Sequence, residues 1–133
     1  MQDRPTAAEL LDALAGFFRE RAQHARDRWE RFQFLVAANS LAILKREAEL
    51  EEDAILAEWE RLDSLLGPEP LPLRHRDRVA RLRERNAELC EAIRAGSFDG
   101  EREGELKRHL YLTVRDKVRI ASPDELGEEE TSG

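Results

Sequence analysis

Six arginines lie within one twelve-residue segment of the chain: Arg74, Arg76, Arg78, Arg81, Arg83 and Arg85. If the segment is helical, four of them share one side of the helix, namely Arg74, Arg78, Arg81 and Arg85. Guanidinium groups grip phosphates and carboxylates bidentately, so this side is a candidate for binding a nucleic acid, a phosphorylated cofactor or an acidic partner protein. The alternative is a solvated face paired with Asp and Glu of neighbouring helices. Nucleic acid is the weakest option, because the net charge is −7 and no aromatic residue is interleaved with the arginines.

Three uncharged polar residues stand inside otherwise apolar helical stripes: Asn39, Asn86 and Thr113. A buried amide without partners costs about 1–3 kcal/mol, so each of these side chains needs hydrogen bonds if it is buried. An Asn on a helix seam commonly sets register or oligomeric state. The other interpretation is that these residues line a ligand pocket, and the residue pattern alone does not separate the two.

Templates for metal binding and catalysis are mostly unmet. A di-iron bundle needs Glu-x-x-His pairs, and no His here has a Glu three residues before it. The chain has no Gly-rich phosphate loop and no Gly-x-Ser-x-Gly elbow. Glu105 and His109 share a helix face, and Cys90 beside Leu89 is expected to be a buried, inert thiol. We therefore expect no metal and no cofactor, and a small enzyme using Glu105, His109 or Cys90 is the least favoured hypothesis.

Apolar periodicity predicts an all-α protein of about five helices. Thr6 and Glu9 predict a capping box at the start of the first helix, whose apolar face contains Leu10, Leu11, Leu14, Phe17 and Phe18. The second helix, 27–50, is apolar on two faces and is predicted to pack against neighbours on both; the faces are Trp29, Phe32, Val36, Ile43 and Leu50, and Phe34, Ala38 and Leu41.

Three further helices complete the predicted bundle. They cover about 53–66, the stretch from Val79 to Ile93 closed by Gly96, and 99–121, whose inward set is Leu106, Leu110, Thr113, Val114, Lys117 and Ile120. A Pro-rich hinge separates the third from the fourth at 67–72, because Gly and Pro end helices. The predicted organisation is one helical bundle domain over 1–123, followed by a disordered acidic tail at 124–133.

Composition limits the class of protein further. A chain of 133 residues supports a single domain, and its one cysteine excludes an intramolecular disulfide framework. No run approaches 18 apolar residues, and the first residues lack the apolar stretch of a secretory signal. These observations predict a cytoplasmic protein that does not bind membranes.

Several short strings together resemble a known family. They are PTAAELL at 5–11, VAANSLAI at 36–43 followed by Arg46-Glu47, NAEL at 86–89, IRAG at 93–96 and TVRDK at 113–117. Over about residues 3–123, the chain resembles small bacterial all-helical domains of uncharacterised function that are encoded beside aminoglycoside-phosphotransferase-like kinases and acyl-CoA dehydrogenase-like enzymes. It is similar to the small accessory subunit of the hydroxyacyl-CoA kinase of levulinate and 4-hydroxy acid breakdown.

The resemblance implies that the chain works through a partner. A large kinase-like subunit would carry the ATP and magnesium chemistry, and this chain would be its non-catalytic accessory subunit, with the arginine face touching the partner or the phosphates of acyl-CoA. The alternative is a self-associating helical scaffold whose Asn86 seam pairs two copies. A small ligand-binding bundle is a further alternative.

Overall fold

The computed structural model describes residues 3–127, and this part of the chain is helical with no β-strand. Its elements are α1 (Ala7–Gln23), α2 (Arg28–Leu66), α3 (His75–Arg94), α4 (Glu103–Ala121) and a 3₁₀ turn (Pro123–Glu125). The prediction of an all-α protein is confirmed. Within the described residues, no helix combines the length and the apolar character needed to cross a membrane.

The number of helices differs from the prediction, because the second and third predicted helices are one continuous helix. α2 runs for 39 residues. The predicted break near 51–52 falls in a stretch of Glu, Lys, Arg, Leu and Ala that contains no Gly or Pro, and these residue types favour helix. Nothing in the local sequence therefore ends the helix at the predicted boundary.

The helix ends mostly follow the predicted signals. The Thr6 hydroxyl accepts from the Glu9 N–H at 3.2 Å, and the Glu9 carboxylate accepts from the Thr6 N–H at 2.8 Å, so the capping box is confirmed. Gly67 follows α2 with a φ of +105°, and Gly96 follows α3 with a φ of +79°. The last helix ends before Pro123 as predicted, although it begins at Glu103 rather than near residue 99.

The Pro-rich segment and the tail were predicted to be a hinge and a disordered region. The segment after Gly67 is coil, as expected, and α2 and α3 hold it by side-chain hydrogen bonds; its action as a hinge stays a prediction. Asp124 and Glu125 of the predicted tail lie in the 3₁₀ turn. Leu126 and Gly127 follow this turn outside regular secondary structure, and the rest of that prediction, 128–133, lies outside the described residues.

The described chain is arranged in two compact units, whose division falls inside α2 after Glu51 and inside α4 after Lys117. The first unit contains α1, the first part of α2 and the end of α4. Its buried side chains are small, namely Ala15, Ala22 and Ala38. The Phe18 and Phe34 rings lie 6.1 Å apart, and Lys45 forms an ion pair with Asp12 at 3.0 Å, so α1 lies against α2.

The second unit, residues 52–117, contains the larger apolar core. The core residues come from the second part of α2, from α3, from the turn after it and from α4: Ile55, Trp59, Leu62, Leu65, Leu82, Leu89, Phe98 and Leu106. Leu71 of the Pro-rich segment packs against this core. The heptad-like seam of α3 is therefore occupied by α2 of the same chain.

Candidate functional site

In the first unit, small apolar side chains are buried and several large apolar side chains are exposed. On α1, the buried positions are held by Ala15 and Ala22, whereas Leu10, Leu14 and Phe17 are exposed. Small side chains let two helices approach closely, but they leave the larger apolar side chains of the same helix in water. The predicted apolar face of α1 is thus divided between a buried and an exposed side.

The same division appears on α2, where Trp29, Phe32 and Val36 are 66%, 57% and 47% exposed. We call these three residues the α2 stripe. Their spacing of three and four places them on one side of the helix, and the rings of Trp29 and Phe32 stack with centroids 5.8 Å apart. The prediction that this helix has neighbours on both faces is wrong for this side in the described chain.

Two residues of the α2 stripe, Phe32 and Val36, belong to a segment without charge, whereas Trp29 precedes that segment and lies between Arg28 and Glu30 in the sequence. Residues 32–44 contain no Asp, Glu, Lys or Arg, in a chain of which 38% is charged. Asn39 lies in this segment and is exposed, so the prediction of a buried polar side chain is wrong. Asn39 follows the buried Ala38 by one residue and is rotated from it by about 100° around the helix.

Arg85 is the most deeply buried of the arginines, with 1% of its surface exposed. Its Nη1 donates to Asp63 Oδ1 at 2.8 Å, and its Nη2 donates to the carbonyl of Gly67 at 2.9 Å. Its guanidinium carbon lies 4.7 Å from the ring centroid of Trp59, within cation–π distance. Arg85 therefore ties α3 to the end of α2 and is not available to a ligand from solution.

Arg81 and Arg78 are also engaged within the second unit. Arg81 forms ion pairs with Glu69 of the Pro-rich segment and with two glutamates of its own helix, and these hydrogen bonds, that of Glu69 first, raise its pKa. Arg78 forms an ion pair with Glu52 and donates to the Pro72 carbonyl. Arg74 is the exposed residue before α3, where its backbone forms the N-cap. The alternative interpretation, in which the arginines pair with acidic side chains, therefore describes Arg78, Arg81 and Arg85.

The other two polar candidates also have partners in their own unit. Asn86 is half-buried, and its Nδ2 donates to Glu58 Oε1 at 2.9 Å and to the Leu82 carbonyl at 3.0 Å. Thr113 Oγ1 accepts from Arg61 Nη2 at 3.1 Å. Asn86 thus links α3 to α2. An asparagine on a helix seam commonly sets the register of two helices, and here both helices belong to the same chain.

His109 is buried, with 2% of its surface exposed. Its Nδ1 accepts from Arg61 Nε at 3.2 Å, and its Nε2 has no hydrogen-bond partner among the described residues. Burial, and then the neighbouring Arg61 charge, lower the pKa of His109 and favour the neutral ring.

Of the other two residues in the enzyme hypothesis, Glu105 lines a pocket together with His109 but is hydrogen-bonded to other residues, and Cys90 is not in that lining. Glu105 accepts from Ser64 Oγ at 2.5 Å and lies 3.5 Å from Arg102 Nη2, and these contacts, that of Ser64 first, lower the pKa of Glu105. Cys90 is exposed, so the prediction of a buried thiol is wrong. Over residues 3–127, no three His, Cys, Asp or Glu side chains are grouped so that they would hold a metal ion.

The predicted inward side of α4 missed His109. Leu110 and Val114 were expected to face the bundle, but both are exposed. The buried side of α4 is instead one residue earlier along the helix, through Leu106 and His109. The spacing of Leu106, His109 and Thr113 carried this signal, but it was hidden because the adjacent positions are more hydrophobic.

Comparison with known proteins identifies the family. Residues 23–124 match the family model described as Domain of unknown function (DUF6285). The chain belongs to this family. No curated protein matches the chain, and no solved structure matches it.

The DUF6285 match contains α2, α3 and α4 complete, and α1 precedes it apart from its last residue. The α2 stripe, the arginine contacts and His109 therefore all lie inside the DUF6285 domain. The sequence resemblance was drawn over a wider range, 3–123, and to a more specific role. The family description supports a domain over residues 23–124 and assigns it no activity.

Proposed function

We propose that this DUF6285 protein is a non-catalytic interaction subunit that binds an aminoglycoside-phosphotransferase-like kinase acting on hydroxyacyl-CoA substrates. The observation that carries the proposal is the α2 stripe, where an aromatic pair is exposed and Phe32 and Val36 lie on a segment free of charge. Such a surface is what the centre of a protein–protein interface requires, because interface cores are enriched in Trp and Phe and depleted of charge.

Burial of the α2 stripe supplies the driving force for association. Removing a large apolar side chain from water is worth about 1.5–3 kcal/mol, and Trp29 and Phe32 each leave more than half of their surface exposed in the free chain. Their stacked rings are already ordered on a helix, so little conformational entropy is lost on binding. The exposed amide of Asn39 is a polar group that would border this contact.

The choice of a kinase as partner comes from the sequence resemblance. In this arrangement the kinase carries the ATP and magnesium chemistry and this chain supplies a docking surface. Arg78, Arg81 and Arg85 are engaged inside the second unit, so we assign partner binding to the α2 stripe rather than to them. Arg74 is the member of the set that is open to a phosphate of the kinase's acyl-CoA substrate.

The test is the affinity of the purified chain for the kinase encoded in the adjacent reading frame. The variant is Trp29→Ala with Phe32→Ala, and the matched control is Leu73→Ala, since Leu73 is an apolar side chain with 94% exposure outside the stripe. A central interface residue contributes about 2 kcal/mol or more, so the double variant is expected to weaken binding at least about 100-fold. Circular dichroism should show unchanged helicity. Equal affinity of wild type and double variant would contradict the proposal.

The alternative is that the α2 stripe packs against a second copy of the chain. Light scattering on the pure protein distinguishes the two, because a monomer removes this option. If the pure protein is a dimer and the Trp29→Ala, Phe32→Ala variant is a monomer, then the α2 stripe binds a second copy of the chain and not the kinase. Asn86, which was the predicted seam of such a dimer, is hydrogen-bonded within its own chain.

A further inference from the structure

A pocket of about 270 Å³ lies in the second unit between α2 and α4. Arg61, Ser64 and Leu65 line it from α2, and Glu105, Arg108 and His109 line it from α4. None of these residues belongs to the α2 stripe, so the function of this pocket does not depend on the proposed kinase partner.

The histidine in the wall of this pocket is a buried hydrogen-bond donor. Arg61 is always protonated and donates through Nε to His109 Nδ1, so Nδ1 is an acceptor. The proton of the neutral ring must then be on Nε2. That N–H has no acceptor among the described residues, whereas roughly nine in ten buried polar groups have a partner.

Arg61 places a weakly compensated positive charge beside this histidine. Its guanidinium donates to two neutral acceptors, His109 Nδ1 and Thr113 Oγ1, and no carboxylate of residues 3–127 lies within ion-pair distance of it. Burial lowers the pKa of Arg61, while the more distant Asp116 and Glu58 act in the opposite direction. A second cation, Arg108, is exposed on the same pocket wall.

The acidic residues of the pocket do not remove this positive character. The Glu105 carboxylate is turned to local partners, since it accepts from Ser64 and lies beside Arg102. Glu60 also borders the pocket, but it and Arg108 are both exposed, where water screens the two opposite charges alike, so the positive character of the pocket comes mainly from the half-buried Arg61.

We propose that this pocket binds a small oxyanion, with Arg61 and Arg108 as its cations. Carboxylates and phosphates share the required chemistry, which is negative oxygen atoms that accept several charge-assisted hydrogen bonds. The pocket of about 270 Å³ is large enough for a phosphate or a short carboxylate together with several waters.

The experiment is a calorimetric titration of the full chain with inorganic phosphate and, in a separate arm, with propionate, at constant ionic strength maintained by chloride. The two arms distinguish a phosphate site from a carboxylate site. Saturable binding is expected for at least one of them, and Arg61→Gln and Arg108→Gln should each weaken it about tenfold. Arg83→Gln is the matched control, because it removes an exposed charge from α3 outside the pocket lining.

Two further readouts keep the test decisive. Arg108 is exposed, so Arg108→Gln should fold even if Arg61→Gln, which removes the bonds to His109 and Thr113, does not. The ¹⁵N chemical shift of His109 Nδ1, which accepts from Arg61, should change on ligand addition, and an unchanged shift in the presence of binding overturns the assignment of Arg61 as a cation of the site. Titrations that do not saturate, or equal weakening by Arg83→Gln, overturn the site.

Discussion

Replacing Arg85 by methionine should destabilise the second unit by about 3 kcal/mol. Arg85 was predicted to bind phosphate or a partner, and the structure buries it against Asp63, Gly67 and Trp59. Methionine keeps most of the apolar volume near Trp59 but removes the charge and both donors. The test therefore separates a structural arginine from a ligand-binding arginine, whose replacement would leave folding unchanged.

The magnitude follows from the partners that lose Arg85. Removing one member of a buried ion pair costs about 3–5 kcal/mol. The low end applies here, because the Asp63 side chain is 29% exposed and becomes partly hydrated when the guanidinium is gone. The Gly67 carbonyl loses a hydrogen bond worth about 1 kcal/mol, and the contact of methionine with Trp59 offsets part of this.

The assay is urea unfolding followed by circular dichroism, with Arg83→Met as control. Arg83 is on the same helix and exposed, so its replacement should change the free energy of unfolding by less than about 0.5 kcal/mol. Asp63→Asn should destabilise at least as much as Arg85→Met, because the guanidinium that it leaves without a counter-ion is the more deeply buried group. A change below about 1 kcal/mol in Arg85→Met would refute the assignment of Arg85 as a structural link.

Three other perturbations have defined outcomes. The pKa of His109 in the folded chain is below its ordinary 6.5, so the unfolded chain takes up a proton first as the pH falls. The free energy of unfolding should therefore decrease below about pH 6.5, by at most about 1.4 kcal/mol per pH unit. In urea unfolding, His109→Gln should remove this pH dependence. Gly96→Ala should cost about 1–2 kcal/mol, because φ is +79° and the added Cβ would meet Asp99 Oδ2 at 3.1 Å. Thr6→Ala should cost about 1 kcal/mol, measured in the same assay, since the Glu9 N–H loses its cap.

Each of these has a matched comparison. The His109 slope is the difference between wild type and His109→Gln over pH 5–7, and identical profiles would contradict a buried neutral ring. Gly16→Ala controls for Gly96, because Gly16 is inside α1 with open space around it, and it should be neutral or stabilising. Thr6→Ser should retain the cap, so equal loss in Thr6→Ser and Thr6→Ala would exclude the hydroxyl as its source.

Local signals predicted the helices and most of their ends. Thr6 with Glu9, Gly67, Gly96 and Pro123 act on the backbone within a few residues, so their effect can be read without knowing the fold. The division of α2 at 51–52 was wrong, because no Gly or Pro ends the helix there. The helix instead passes from one compact unit to the other at this point.

The candidate sites were less predictable, because their residues come from separate helices. The sequence showed that Arg85 and Arg81 share a side of α3, but not that Asp63, Trp59 and Glu69 would occupy that side. On α1, Ala15 and Ala22 are buried while the larger apolar side chains Leu10, Leu14 and Phe17 are exposed. This reverses the usual order of hydrophobicity, so residues that were assigned to the apolar face of the helix are in contact with water.

By itself, the sequence determined an acidic, all-helical protein, most of the points where its helices begin and end, and which residue types each helix face carries. Only the tertiary structure decided which of those faces are covered. Periodicity defines a face through the 3.6-residue turn, whereas burial depends on partners distant in the chain. For that reason the exposed Trp29, the buried Arg85 and the unpartnered N–H of His109 became visible only once the helices were packed.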